Sequence, residues 1–122
     1  MVGILLLSFV ISACGSNSSP ADAIENYLEA LAAKDQVGAV SYSCAEWEEQ
    51  ALAEGASFVN VEVELRDLNC QVDQQEQESA QVICEGSFLF SYDAGEQQQL
   101  DLGDRIFNTI NENGAWRMCG YQ

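Results

Sequence analysis

Cysteines are the main side chains of this sequence that could do chemistry, because the 122 residues include five cysteines and no histidine. Without histidine, Ser-His-Asp and Cys-His nucleophiles and the common histidine-bound zinc or iron sites are excluded. Four cysteines lack the closely spaced pairs of a zinc ribbon, and we interpret them as two disulfides formed in an oxidising compartment: Cys44, Cys70, Cys84 and Cys119. We expect no cofactor and no metal, and a four-cysteine metal site is the less favoured alternative.

The fifth cysteine, Cys14, follows an apolar N-terminal segment. Residues 2–11 are too few for a transmembrane helix, which needs about 20 apolar residues, and they have the length of a signal-peptide core. Ile11-Ser12-Ala13-Cys14 resembles the bacterial lipoprotein signal motif, although no Lys or Arg precedes it. The resemblance implies a signal peptide over residues 1–13 and acyl chains on Cys14 that anchor the protein to a membrane. An ordinary secretory peptide or a buried strand is the alternative.

The residues after the motif predict a tether and one domain. Residues 14–19 combine the lipidated cysteine with a small, polar segment typical of a flexible linker, and residues 20–122 suit a single domain. Gly15 follows Cys14 where an Asp would resemble an inner-membrane retention signal. We therefore expect a lipid-anchored protein on the extracytoplasmic side of a cell membrane or an outer membrane.

The charge of the chain limits its partners. Twenty acidic residues against four basic ones give a formal net charge of -16, which disfavours nucleic acid and anionic lipid headgroups. No Asp-x-Asp-x-Asp-Gly loop is present, so we interpret the acidic residues as a solvated surface rather than as a cation site.

Two main helices are predicted in the first half of the domain. Ser19 and Pro20 are typical of a helix start, and apolar residues then recur at spacings of three and four as far as Lys34. A second helix is predicted from Cys44 to near Gly55, with a short turn over residues 37–42 before it.

The second half alternates with a period of two, which predicts strands. The pattern begins at Val59, turns at residues 73–78, and continues through strands at residues 80–92, 100–111 and 115–121. Gly86 is expected to form a bend or bulge, and Asn113-Gly114 a tight hairpin turn. The order predicts an α+β fold in which N-terminal helices pack on a curved four-stranded antiparallel sheet.

This order of elements favours one cysteine pairing out of three. A hairpin centred near residue 77 places Cys70 opposite Cys84, within reach of a cross-strand disulfide. Cys44 and Cys119 would then join the helical layer to the last strand. The other two pairings remain formally possible.

Two segments carry a resemblance to a known superfamily. Ala23-Ile24-Glu25-Asn26-Tyr27-Leu28-Glu29-Ala30-Leu31 and Asn113-Gly114-Ala115-Trp116-Arg117-Met118-Cys119 look like the two ends of small bacterial lipoproteins of the nuclear transport factor 2-like (cystatin-like) superfamily. The resemblance implies a cone-shaped domain with a pocket at its wide end. Members include ketosteroid isomerases, dehydratases and non-enzymatic modules, so the fold does not select an activity.

Asp104 and Arg117 are the candidate ligand-binding residues within that pocket. The apolar side of the strand at residues 100–111 is predicted to carry Leu100, Leu102, Ile106 and Ile110. Asp104 has the same phase, so a regular strand would point it inward, whereas a bulge at Gly103 would turn it outward. The resemblance implies that an inward acid acts as a general base. Arg117 would point inward with Cys119 and could hold Asp104 or an anionic ligand; a solvent-facing arginine is the alternative.

These features lead to a functional interpretation without a catalytic residue. We expect a membrane-anchored extracytoplasmic lipoprotein that acts as a non-catalytic module, binding a small apolar ligand or an envelope protein. Homodimer formation is compatible with this role. An isomerase or dehydratase with a pocket carboxylate, and a structural envelope subunit, are the alternatives.

Overall fold

The computed structural model describes residues 19–93 and 95–122, so the predicted signal peptide, Cys14 and most of the predicted tether lie outside the described residues. The helices are α1 (Pro20–Ala32), α2 (Gln36–Ser41) and α3 (Glu48–Phe58). The strands are β1 (Glu62–Gln75), β2 (Ser79–Ser91), β3 (Gln97–Asp101), β4 (Ile106–Glu112) and β5 (Ala115–Tyr121). Within these ranges, no helix has the length and apolar character needed to cross a bilayer.

The predicted α+β class is confirmed, with three helices packed on one antiparallel sheet. The strand order is β1-β2-β4-β5, and β3 pairs with β2 beyond the end of β4. The sheet has five strands rather than four because a 3₁₀ turn, Leu102–Asp104, divides the predicted strand at residues 100–111. The Asp101 carboxylate accepts a hydrogen bond of 2.8 Å from the Gly103 N–H and stabilises this turn.

Helix α1 begins as the sequence predicted and supplies much of the core. The Ser19 hydroxyl oxygen accepts a hydrogen bond from the Asp22 N–H at 3.1 Å, and Pro20 occupies the first turn. Four large side chains on one face of the helix are at most 3% exposed: Ile24, Tyr27, Leu28 and Leu31. Their spacing of three and four residues directs this face toward the sheet.

Helix α3 extends past the predicted stop at Gly55 to Phe58. Gly55 lies where α2 approaches closely, since a Cβ atom there would be 3.0 Å from Cγ of Gln36. The glycine therefore serves helix packing and does not end the helix. Val59, predicted to open a strand, instead follows the last helical residue, and β1 begins at Glu62.

The hairpin of β1 and β2 matches the predicted cysteine register. Cys70 and Cys84 are opposite one another and form a disulfide with a Cα–Cα distance of 4.0 Å. The ladder is interrupted between Arg66 and Asn69, where Gly86 of the partner strand has φ +106°. This irregularity is the bulge predicted at Gly86.

Strand β4 presents the opposite side chains to those predicted. Phe107 and Thr109 are 1% exposed, whereas Ile106 is 36% exposed and Ile110 is half-buried. The 3₁₀ turn removes residues 102–104 from the alternation, and the pattern resumes one position out of phase. The predicted inward positions of Ile106 and Ile110 are therefore wrong.

The second disulfide joins Cys44 to Cys119 with a Cα–Cα distance of 5.3 Å. Cys119 is half-buried on β5, and the chain around Ser43 runs parallel to β5 through a bridge to Met118. The Cys44 N–H donates to the Met118 carbonyl at 2.8 Å. The bridge thus fastens the segment before α3 along the edge of the sheet, and two disulfides indicate an extracytoplasmic location.

Candidate functional site

A cavity of about 200 Å³ lies between helices α1 and α3 and the sheet. Most of its wall is apolar, made by Leu28, Leu31, Phe58, Phe88, Leu100 and Phe107. Phe58 contacts Phe88 edge to face with ring centroids 5.2 Å apart, which stabilises the aromatic part of the wall. The cavity is therefore shaped by the same side chains that form the core.

Glu54 of α3 brings a carboxylate to this apolar cavity. The hydroxyl groups of Tyr27 and Tyr121 each donate a hydrogen bond to it, Tyr27 to Oε1 and Tyr121 to Oε2, the latter at 3.0 Å. Trp47 Nε1 donates to the Tyr27 hydroxyl oxygen at 3.2 Å. These bonds connect α1, the segment before α3, α3 itself and β5, and they position the carboxylate.

Burial and the Glu54 carboxylate keep both tyrosines protonated. Tyr27 is 1% exposed, and its burial, followed by its hydrogen bond to Glu54, raises the pKa of its hydroxyl well above 10.0. Burial and the Glu54 charge also raise the pKa of Tyr121, and Arg105 opposes that shift. The two hydroxyl groups therefore act as hydrogen-bond donors to the carboxylate over the ordinary pH range.

Arg105 supplies a positive charge to the same cavity. Its guanidinium carbon lies 4.3 Å from the centroid of the Tyr121 ring, in a cation-π contact. Within the described part of the chain, the other two arginines lie near carboxylates, Arg66 at 2.9 Å from Glu64 and Arg117 at 3.8 Å from Glu112. Arg105 forms no ion pair within 4.0 Å with any described residue, although the protein is strongly acidic.

Asp104 and Arg117, the predicted ligand-binding residues, do not line the cavity and are not brought together. Asp104 is exposed on the 3₁₀ turn, which agrees with the outward alternative and not with the inward direction of a regular strand. Arg117 is half-buried beside the sheet edge, where its Nη1 donates a hydrogen bond to the Ser41 carbonyl. It connects α2 to β5.

The residues that do reach the cavity were missed in the sequence, but one signal was present. Glu54 lies on the stripe formed by Trp47, Ala51 and Phe58, at helical spacings of three and four. An acidic residue on an otherwise apolar stripe indicates a buried or half-buried carboxylate with partners. Tyr27 and Tyr121 have no comparable signal, because a tyrosine on a core face is ordinary.

No cluster of three His, Cys, Asp or Glu side chains suited to a metal ion occurs in residues 19–93 and 95–122. The polar groups that converge on the cavity include one carboxylate, two tyrosine hydroxyls and one guanidinium, which can orient a polar ligand by hydrogen bonds and charge.

No protein-family model and no curated protein matches the sequence.

Solved structures nevertheless resemble this chain in fold. An NTF-2 like protein of unknown function from Shewanella oneidensis MR-1 matches with a TM-score of 0.53 and 10% identity, over 79% of this chain and 88% of that one. A SEC-C motif containing protein from Rhodopseudomonas palustris matches with a TM-score of 0.58 and 16% identity, over 85% and 77%. A Mycobacterium tuberculosis protein in complex with estradiol-17β-hemisuccinate matches with a TM-score of 0.55 and 15% identity, over 85% and 94%. The chain thus has the nuclear transport factor 2-like fold.

Proposed function

We propose that this protein is a membrane-anchored extracytoplasmic lipoprotein whose domain binds a small ligand and catalyses no reaction. The observation that carries the ligand-binding role is the cavity itself, where Glu54, Arg105 and two tyrosine hydroxyls converge on an apolar wall. Such a combination of apolar lining and a few oriented polar groups is typical of ligand sites.

The size of the cavity limits the ligand. Sites for drug-sized molecules are commonly about 300 to 1,000 Å³, whereas this cavity measures about 200 Å³. The Mycobacterium tuberculosis protein of the same fold was solved in complex with estradiol-17β-hemisuccinate. We expect a ligand of the present protein to be smaller than that steroid ester, with an apolar body and at least one polar group.

The ligand-binding role is tested by native mass spectrometry of the protein purified from its own membrane. A retained small molecule is expected in the wild type, and it should be lost in Leu100→Trp, because the larger ring would fill the cavity. Ile83→Trp is the matched control, since Ile83 is 43% exposed and lies outside the cavity. Absence of any retained or added small ligand in the wild type contradicts this role.

Membrane anchoring through Cys14 rests on the resemblance of Ile11-Ser12-Ala13-Cys14 to the lipoprotein signal. The two disulfides support an export route, because they form in an oxidising compartment. In a bacterium that processes lipoproteins, the wild type should incorporate labelled palmitate and fractionate with membranes. Cys14→Ser should do neither. A wild type that stays unlabelled, with residues 1–13 intact, contradicts the anchor.

An isomerase or dehydratase is the second candidate, and one observation favours it. Glu54 lines the cavity, where an enzyme of that kind would need a carboxylate to move a proton. The chain offers no histidine as a second proton carrier. Turnover of an apolar ketone or alcohol that disappears in Glu54→Gln would support the enzyme over the binding module.

A protein-interaction role is the remaining candidate. Ile83 and Ile106 are opposite one another on neighbouring strands and are 43% and 36% exposed, so they form a small apolar patch on the outer face of the sheet. If the protein forms a homodimer or an envelope assembly through this patch, Ile83→Asp would shift its sedimentation to the monomer. Ligand retention would be unchanged by that substitution.

A further inference from the structure

The cavity is lined by two opposite charges that form no direct ion pair with each other. Glu54 and Arg105 both line it, and the structure places no ion pair between them within 4.0 Å. Tyr121 contacts both groups: its hydroxyl donates to Glu54 at 3.0 Å, and the guanidinium carbon of Arg105 lies 4.3 Å from its ring centroid. The protein therefore keeps a negative and a positive group apart on the same small cavity.

Both groups retain capacity for a ligand. A carboxylate has about four lone-pair positions, and those of Glu54 receive one hydroxyl hydrogen bond on each oxygen, so about two positions remain. Arg105 has five N–H donors and no carboxylate partner in the described part of the chain. A ligand ammonium suits the first group, and a ligand carboxylate suits the second.

We propose that the cavity binds a small zwitterion with an apolar body, of the class of the branched aliphatic amino acids; this inference rests on the proposed binding function. A ligand with a single charge would pair with only one of the two groups and leave the other without a charged partner in a site of low polarity. The net charge of -16 also repels a simple anion at long range, whereas a zwitterion is neutral overall.

The apolar wall and the volume define the body of that ligand. The cavity of about 200 Å³ is smaller than the roughly 300 to 1,000 Å³ that is common for drug-sized ligands. Leu28, Leu31 and Phe107 offer an aliphatic and aromatic surface to this space. A branched aliphatic chain fits such a space, and a fused ring system exceeds it.

Calorimetric titration with three probes of similar shape tests the proposal on the wild type. The probes are L-leucine, which carries both charges, 4-methylpentanoate, which carries only the carboxylate, and 3-methylbutylamine, which carries only the ammonium. We expect L-leucine to bind about tenfold more tightly or better than either singly charged probe. Equal affinity of 4-methylpentanoate or 3-methylbutylamine would overturn the proposal.

Two variants that each remove one charge test which residue binds which end of the ligand. Arg105→Gln should weaken L-leucine and 4-methylpentanoate about tenfold and leave 3-methylbutylamine no weaker, whereas Glu54→Gln should weaken L-leucine and 3-methylbutylamine only. Arg66→Gln is the matched control for charge, because Arg66 is exposed and pairs with Glu64. Equal losses for all three probes in either variant would contradict the assigned ends.

The outcomes also separate this inference from the proposed function. If none of the three probes binds the wild type but a molecule of another class is retained in its cavity, the zwitterion is wrong and the binding role stands. If no probe binds and no molecule is retained, both proposals fail. The wild-type comparison of probes remains decisive even if Glu54→Gln does not fold.

Discussion

The Tyr121 hydroxyl donates a 3.0 Å hydrogen bond to Oε2 of Glu54, across a sequence separation of 67 residues. This bond joins the last strand to helix α3 at the cavity. Tyr27 approaches the other carboxylate oxygen from helix α1. The carboxylate is therefore positioned from both ends of the domain, and its environment exists only in the folded chain.

Replacing Glu54 should reveal what this arrangement contributes to stability. In Glu54→Gln one acceptor oxygen becomes a donor, so a tyrosine hydroxyl loses its acceptor. We expect the free energy of unfolding in urea to fall by about 1.5 to 3 kcal/mol, the range for hydrogen bonds to charged groups. Glu76→Gln, an exposed change in the hairpin turn, is the matched control and should have little effect. Equal stability of the two variants would contradict the structural role of Glu54.

The raised pKa of Tyr27 makes the free energy of unfolding depend on pH in alkaline solution. Burial and Glu54 raise this pKa above 10.0, so the unfolded chain releases the Tyr27 proton before the folded protein does. The contribution to stability is complete below about pH 10 and is lost as the pH rises beyond it. Unfolding free energies measured at increasing pH should fall above about pH 10, and Tyr27→Phe should reduce the slope. Tyr92→Phe, at a side chain 40% exposed, should leave most of the slope in place.

The two disulfides should differ in their effect on stability. Cys44 and Cys119 are 75 residues apart in sequence, and Cys70 and Cys84 are 14 apart. In the chain-entropy model these closures contribute about 4.5 and about 3 kcal/mol, respectively. Cys44→Ala/Cys119→Ala should therefore lower the unfolding free energy more than Cys70→Ala/Cys84→Ala. A reversed order in urea titrations would show that the loop-closure argument does not apply here.

The bulge at Gly86 should be intolerant of a side chain. A Cβ atom at Gly86 would lie 2.5 Å from the Arg66 carbonyl oxygen and 2.8 Å from that of Asp67, and the backbone has φ +106°. We expect Gly86→Ala to lower the thermal midpoint and to cost about 1 to 3 kcal/mol. Gly95→Ala is the control, because Gly95 has φ +78° but no atom within 4 Å of its Cβ position. Equal losses would indicate that φ alone, and not the contact with β1, sets the cost.

Local patterns in the sequence were sufficient for the class of fold and for several of its elements. The Ser19 cap, the apolar face of α1 and the Asn113-Gly114 turn depend on neighbouring residues, and each appears in the structure. The Cys70–Cys84 register also follows from one hairpin. Interactions over a few residues are encoded by spacing, so spacing predicts them.

The phase of β4 shows where such patterns fail. The short 3₁₀ turn at Leu102–Asp104 interrupts the alternation, and Asp104 and Ile106 consequently point away from the core. The alternating pattern gives no signal for this interruption, because Leu102 would be buried in the predicted regular strand and is also fully buried in the 3₁₀ turn. The candidate site based on Asp104 therefore depended on a regular strand that does not exist.

By itself, the sequence determined an α+β domain with helices before strands, a histidine-free and strongly acidic chain, and cysteines in numbers suited to two disulfides. Only the tertiary structure decided that Glu54, Tyr27, Tyr121 and Arg105 share one cavity. Periodicity specifies which face of an element is buried. It does not specify which side chains of distant elements meet there, because that depends on the packing of α1 and α3 against β5 and on the exact length of the turn before Arg105.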